Sequence, residues 1–123
     1  MKNPKKIKWF AAPEDHDYSA AESYLLLVYE SDYISKIIDK LKLEKITVFQ
    51  AKDIFRASQL SLLGVSNSHV EKDTIKISKG KELSPILLVR DKVNDKVIIA
   101  DGYHRLCAVY SVDEDAMIPC KIV

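Results

Sequence analysis

The hydrophobic pattern is densest in the last third of the chain. Ile86 to Val89 and Val97 to Ala100 are unbroken apolar runs, mostly β-branched, and read as buried strands, Ile86–Val89 and Lys96–Ala100. Between them Asp91 to Asp95, with Asn94-Asp95 at its tip, reads as a hairpin loop, and Pro85 blocks a helix ahead of the first run. A closing strand is expected over Ile118–Val123. Earlier, Ile46, Val48 and Ala51 alternate with Thr47, Phe49 and Gln50, which predicts a strand over Ile46–Gln50.

Helical spacing occupies most of the remainder. Ser19-Ala20-Ala21-Glu22 has the capping-box form, so a first helix is expected over Ala20–Tyr29 with Ala21, Tyr24, Leu25 and Val28 on its core face. Ser31-Asp32 offers a cap to a second helix carrying Ile34, Ile37, Ile38 and Leu41, which makes the start of the chain a helical hairpin. Lys52 to Ser58 forms a third helix, with Leu60 to Gly64 packed beneath it. Ser68-His69-Val70-Glu71 is a second capping box, opening a helix through Thr74 and Ile77 that stops at Gly80. A last helix begins at Tyr103, with Leu106, Val109 and Tyr110 on one face. The sum is a single α+β domain, a small mixed sheet covered by helices, over residues 1–123.

Composition narrows the function classes. Nineteen basic residues against eighteen acidic ones leave a net charge of +1, so no long-range field draws the chain to DNA or to an anionic membrane. Basic residues look dispersed, not striped with aromatics, and sequence-specific DNA binding is not expected. The two cysteines, Cys107 and Cys120, lie on expected core elements without a C-x-x-C pair and read as buried hydrophobes; with three scattered histidines they have no zinc-ligand spacing. Neither a signal peptide nor a long apolar segment is evident, so a cytoplasmic location is expected.

The chemistry concentrates in Asp101-Gly102-Tyr103-His104-Arg105, between an apolar strand and a helix. Glycine at such a turn lets the backbone approach a ligand, and the free N–H groups of the helix start form an anion site. Arg105 adds a bidentate phosphate fork and His104 a titratable imidazole; Asp101 reads equally as a helix cap and as a Mg²⁺ ligand or proton holder. Lys79, Gly80 and Lys81 stand at a helix end, where lysines also complement the dipole. Ser68 and His69, with Asn67, open the same helix and read first as an ordinary cap. Arg56 and Ser58 are weaker candidates. Glu14, Asp15 and Asp17 read as a solvated acidic turn.

Asp-Gly-x-His-Arg after an apolar strand, with Leu83-Ser84-Pro85-Ile86-Leu87-Leu88-Val89 one hairpin earlier and Ile118-Pro119-Cys120-Lys121-Ile122-Val123 as closing strand, resembles the ParB/sulfiredoxin superfamily over Asn67 to Val123. The resemblance implies a nucleotide, ATP, ADP or CTP, with its phosphates at Gly102, Tyr103, His104 and Arg105 and Lys79, Gly80, Lys81, Ser68 and His69 nearby. Sulfiredoxin chemistry would need a cysteine where Tyr103 stands. Partition proteins carry Glu-Arg-Arg-like residues after the glycine and continue into further DNA-binding segments. The motif is closer to the free serine kinase branch, which implies phosphoryl transfer from a nucleotide to a small hydroxyl substrate, with Asp101 and His104 catalytic and Asp101 on Mg²⁺. The alternatives are a nucleotide hydrolase, a non-catalytic nucleotide-binding switch or partner-docking module, and, lower, a ParB-like DNA-binding or nuclease protein.

Overall fold

A computed structural model of the chain describes residues 6–64 and 66–123. The elements run β1 (Lys8–Trp9), α1 (Asp15–Leu25), α2 (Ser31–Leu43), β2 (Thr47–Gln50), α3 (Ala51–Ser58), α4 (Ser68–Ser78), β3 (Glu82–Leu83), β4 (Ile86–Asp91), β5 (Lys96–Asp101), α5 (Tyr103–Val112) and β6 (Met117–Ile122). The main sheet has the order β2-β6-β4-β5, with β4 and β6 parallel and the other pairs antiparallel. A two-residue parallel pair joins β1 to β3. This is the expected α+β class with a mixed sheet.

The apolar runs lack alternation because both faces of β4 and β5 are covered. Ile86, Leu88 and Ile99 pack with residues of α3, α4 and α5, among them Ile54, Val70 and Leu106. Leu87, Val89, Ile98 and Ala100 point the other way, onto Tyr18, Ala21 and Leu25 of α1 and Ile34, Ile37, Ile38 and Leu41 of α2. The helical hairpin is therefore one outer layer, the other three helices the second. Cys107 and Cys120 are buried and unbridged, and burial pushes the Cys120 thiol up to about 11, as befits inert core residues.

Several boundaries differ from the sequence reading. Helix α1 starts a full turn early: Glu14, not Ser19, is the N-cap, and its N–H donates to Asp17 Oδ2 at 2.8 Å in a capping box. The buried seam is consequently Tyr18, Ala21 and Leu25, while Tyr24 and Val28 are exposed. Helix α2 starts earlier than the cap expected at Ser31-Asp32: Ser31 is its first residue and Glu30 holds the cap position. In α4 the cap is Asn67, whose side-chain oxygen accepts from the N–H groups of His69 at 3.0 Å and Val70 at 3.3 Å, so Ser68 is already inside the helix. The strand expected over Ile46–Gln50 is the edge strand β2, and Ile46, Val48 and Phe49 are all exposed. Leu60 and Leu62 are exposed too; only Leu63 of that segment packs on the core. Gly80 ends α4 with a φ of +69°, as its terminal position required.

Candidate functional site

The site grows from the end of β5. Across the β4–β5 pair, Leu88 faces Ile99 but Leu87 faces Asp101, so Ala100 is an extra residue in β5. Directly opposed residues share a face. The bulge thus carries Asp101 to the side of Leu87, where α1 packs, although strict alternation after Ala100 would send it away. Gly102 then turns the chain with a φ of +111°, and a Cβ there would lie 2.3 Å from Ile86 Cγ2. Conformation and packing both demand glycine.

Gly102 is also the N-cap of α5 and supplies no side-chain acceptor. Asp101 does not cap the helix, a correction to one of its two sequence readings. Its Oδ2 instead accepts from Arg105 Nη2 at 2.8 Å, one helical turn on. The first-turn N–H groups of α5 accordingly lack an intrahelical partner.

Arg105 is largely buried and shared. Its Nη2 also reaches the Pro85 carbonyl at 3.4 Å, its Nη1 stands 4.0 Å from Asp17 Oδ1, and its Nε is buried without a hydrogen-bond partner. Asp17 is 2% exposed, which corrects the solvated reading for that residue, while Glu14 and Asp15 are exposed as expected. Around it, His16 contacts both Glu14 and Asp17 at 3.4 Å, and the Ser84 hydroxyl donates to Glu14 Oε1 at 3.2 Å. Burial pushes the Asp101 carboxyl up; Arg105 pulls it down by less, and the nearby Asp17 carboxylate adds to the rise.

On the solvent side of this pair lies a cleft of about 190 Å³, lined by His69, Lys72, Asp73, Asp101, Gly102, His104 and Arg105. The His69 and His104 rings stand 4.8 Å apart. Burial, followed by His69, lowers the His104 pKa; Asp73 opposes the shift and Arg105 adds to it. Five of the residues singled out in the sequence therefore meet here: Asp101, Gly102, His104, Arg105 and His69.

The others do not line it. Tyr103 turns its hydroxyl to the Ser61 carbonyl, and its ring lies 5.8 Å from that of His104. Ser68 is exposed at the start of α4, and Lys79, Gly80 and Lys81 stand at its far end, with Lys8 Nζ 3.7 Å from where a Gly80 Cβ would sit. The Asn67 cap occupies the first amides of α4, leaving that terminus an ordinary one. Arg56 pairs with Asp53 at 3.8 Å, and Ser58 donates to the Phe55 carbonyl at 2.8 Å. Sequence reasoning missed Lys72 and Asp73, although their spacing from His69, i+3 and i+4, marks one face of a helix. It placed Asp17 only in an acidic turn, although the Glu14-to-Asp17 capping box puts it in the first turn of a helix.

Among the described residues no helix is long and apolar enough to cross a membrane, and no group of three or more His, Cys, Asp and Glu side chains is arranged to hold a metal. Comparison of the chain with protein-family models, with curated proteins and with solved structures finds no match in any of the three.

Proposed function

We propose that this protein binds the phosphate end of a nucleotide in the cleft at the start of α5. The observation that carries the reading is the convergence of an uncapped helix N-terminus with Lys72, Arg105 and two imidazoles in one small polar cleft. About 190 Å³ suits phosphate groups, and the base and sugar would lie outside it. The resemblance to the ParB/sulfiredoxin superfamily supports the same choice of ligand.

The activity proposed is transfer of a phosphoryl group to a small hydroxyl acceptor. Such transfer depends on positioning and charge neutralisation more than on covalent help. In this scheme Lys72 and the helix start hold the phosphates, and Asp101, whose proton affinity burial raises, takes up the acceptor proton. Mg²⁺ would arrive with the phosphates, and the carboxylates of the cleft that could hold it are Asp101 and Asp73. The short Asp101–Arg105 pair favours a second reading, a non-catalytic nucleotide switch, because it engages the carboxylate that chemistry would use.

The test is a thermal-unfolding panel of ATP, ADP, CTP and GTP, with and without Mg²⁺. A ligand at 100 times its Kd adds about 2.7 kcal/mol, a rise of several degrees. Lys72→Ala should lose most of that rise. No shift with any nucleotide, or an equal shift in Lys72→Ala, overturns the binding site. With binding in hand, Asp101→Asn should hold affinity within a few fold and lower turnover about 10²-fold. Wild-type protein that binds but neither releases nor transfers phosphate favours the switch.

A further inference from the structure

A second cleft, of about 640 Å³, opens at the opposite end of the β4–β5 hairpin between the end of β4 and the exposed face of α2. Leu87 pairs with Asp101 beside α5, whereas Asp91 pairs with Lys96 at the other end, so the stretches of β4 beside the two clefts are about 13 Å apart along the strand. The volume falls in the range of small-ligand sites, roughly 300–1,000 Å³. Three lysines line it: Lys36 and Lys40, one turn apart on α2, and Lys92 just past the end of β4, whereas Arg90 borders it with its backbone and shares the other face of the sheet with Leu88 and Val97. None of the three has an ion-pair partner among the described residues.

The negative side of the cleft is already engaged. Asp91 accepts from Asn94 N–H at 3.2 Å and from Asn94 Nδ2 at 2.8 Å, and the main-chain oxygen of Val123 accepts from Arg90 N–H at 2.8 Å. On a chain with a net charge of +1, three lysines gathered beside the hydrogen-bonded Asp91 carboxylate are a local anion field. Two tyrosines stand in the same wall. Tyr29 and Tyr33 meet edge to face with centroids 5.0 Å apart, and Tyr33 is 52% exposed. The edge contact braces Tyr33 and leaves ring surface free to stack. Basic residues that looked dispersed along the sequence are brought beside aromatics by the fold.

We propose that this cleft is a second ligand site, for a phosphate-bearing planar base, with the phosphate among Lys36, Lys40 and Lys92 and the base stacked on Tyr33. Lysine neutralises phosphates without reading sequence, and aromatic stacking accepts any base. The base comes either as a free mononucleotide or as one unit of a single-stranded nucleic acid, which has the same two chemical handles.

The experiment is fluorescence anisotropy of the intact protein with a labelled oligothymidylate of ten units at low salt, in competition with thymidine monophosphate and with inorganic triphosphate. Binding should weaken as salt rises, fall at least tenfold in the Lys36→Glu/Lys40→Glu double variant, and fall at least fivefold in Tyr33→Ala. The Lys72→Ala variant of the α5 cleft should bind the oligomer like wild type, which separates this site from the proposed nucleotide site. Competition by the monophosphate identifies a free-nucleotide site, and its failure against a bound oligomer identifies a strand site. The proposal is overturned if the oligomer and the monophosphate both fail to bind, if inorganic triphosphate competes as well as either and Tyr33→Ala is silent, or if Lys72→Ala loses binding while the double variant keeps it. Unchanged far-ultraviolet circular dichroism and unfolding midpoints in the exposed-site variants keep a loss of binding from being read as a loss of fold.

Discussion

Replacing Gly102 with alanine places a methyl group 2.3 Å from Ile86 Cγ2 at a φ of +111°, so the substitution adds a clash to a backbone strain. Together they should lower stability by about 3 kcal/mol, read as an earlier urea midpoint at unchanged slope; a shift below 0.5 kcal/mol would contradict the packing. His104 carries a pH dependence of definite sign. Its folded pKa is lowered, chiefly by burial, so between that value and the ordinary ~6.5 the unfolded chain binds more protons. The contribution of His104 to stability is complete above about pH 6.5 and fades as pH falls through the folded pKa. A bound phosphate would favour the charged imidazole and reverse the preference, so phosphate affinity should strengthen on acidification from pH 7 to 6. Isothermal titration with ADP at the two pH values reads this, and His104→Gln should flatten it. At this scale much was legible: Asp101, Gly102, His104 and Arg105 announced themselves by type and spacing. Asp17 did not, because its burial depends on Arg105, 88 positions away, and on a β-bulge that no local pattern encodes.

Two capping boxes compete at the start of α1, Glu14-to-Asp17 and Ser19-to-Glu22, and residue preference favours the serine. Tertiary packing decides for the other. Starting at Asp15 brings Tyr18, Ala21 and Leu25 onto the sheet, whereas a start at Ala20 would ask Tyr24 and Val28 to be buried. The long strands were legible because apolar runs of branched residues permit little else, but β1 and β3 have two residues each and leave no period to read. In α4 the same ambiguity of one position gives a sharp test. Asn67 accepts two first-turn N–H groups, so Asn67→Ala should cost about 1 kcal/mol, while Ser68→Ala should change stability by less than about 0.5 kcal/mol. Thermal unfolding of the two single variants reads it, and the opposite ranking would move the cap to Ser68.

The resemblance lies in the second half of the chain, yet the fold makes that half depend on the first. Leu87, Val89, Ile98 and Ala100 form the sheet face that α1 and α2 cover. Burial of Leu25, Ile34, Ile37, Ile38 and Leu41 contributes about 1.5–3 kcal/mol for each side chain, in total comparable with the ~5–15 kcal/mol by which a whole domain is stable. The hairpin also brings Asp17 against Arg105, and Lys121 of β6 reaches back to the Lys42 carbonyl at 3.1 Å. These are ties between the site, the sheet and the N-terminal layer. A chain reduced to residues 45–123 would expose one face of its sheet and leave Arg105 with a single carboxylate. It should therefore lack a cooperative thermal transition, bind an apolar dye such as anilinonaphthalene sulfonate, and show no stabilisation by nucleotide. The competing expectation is that the second half is an autonomous nucleotide-binding unit and the hairpin an appendage. That view predicts a cooperative melt within a few degrees of the intact chain and a retained near-ultraviolet signal, and either result would sink the claim that α1 and α2 belong to the same folding unit as the site.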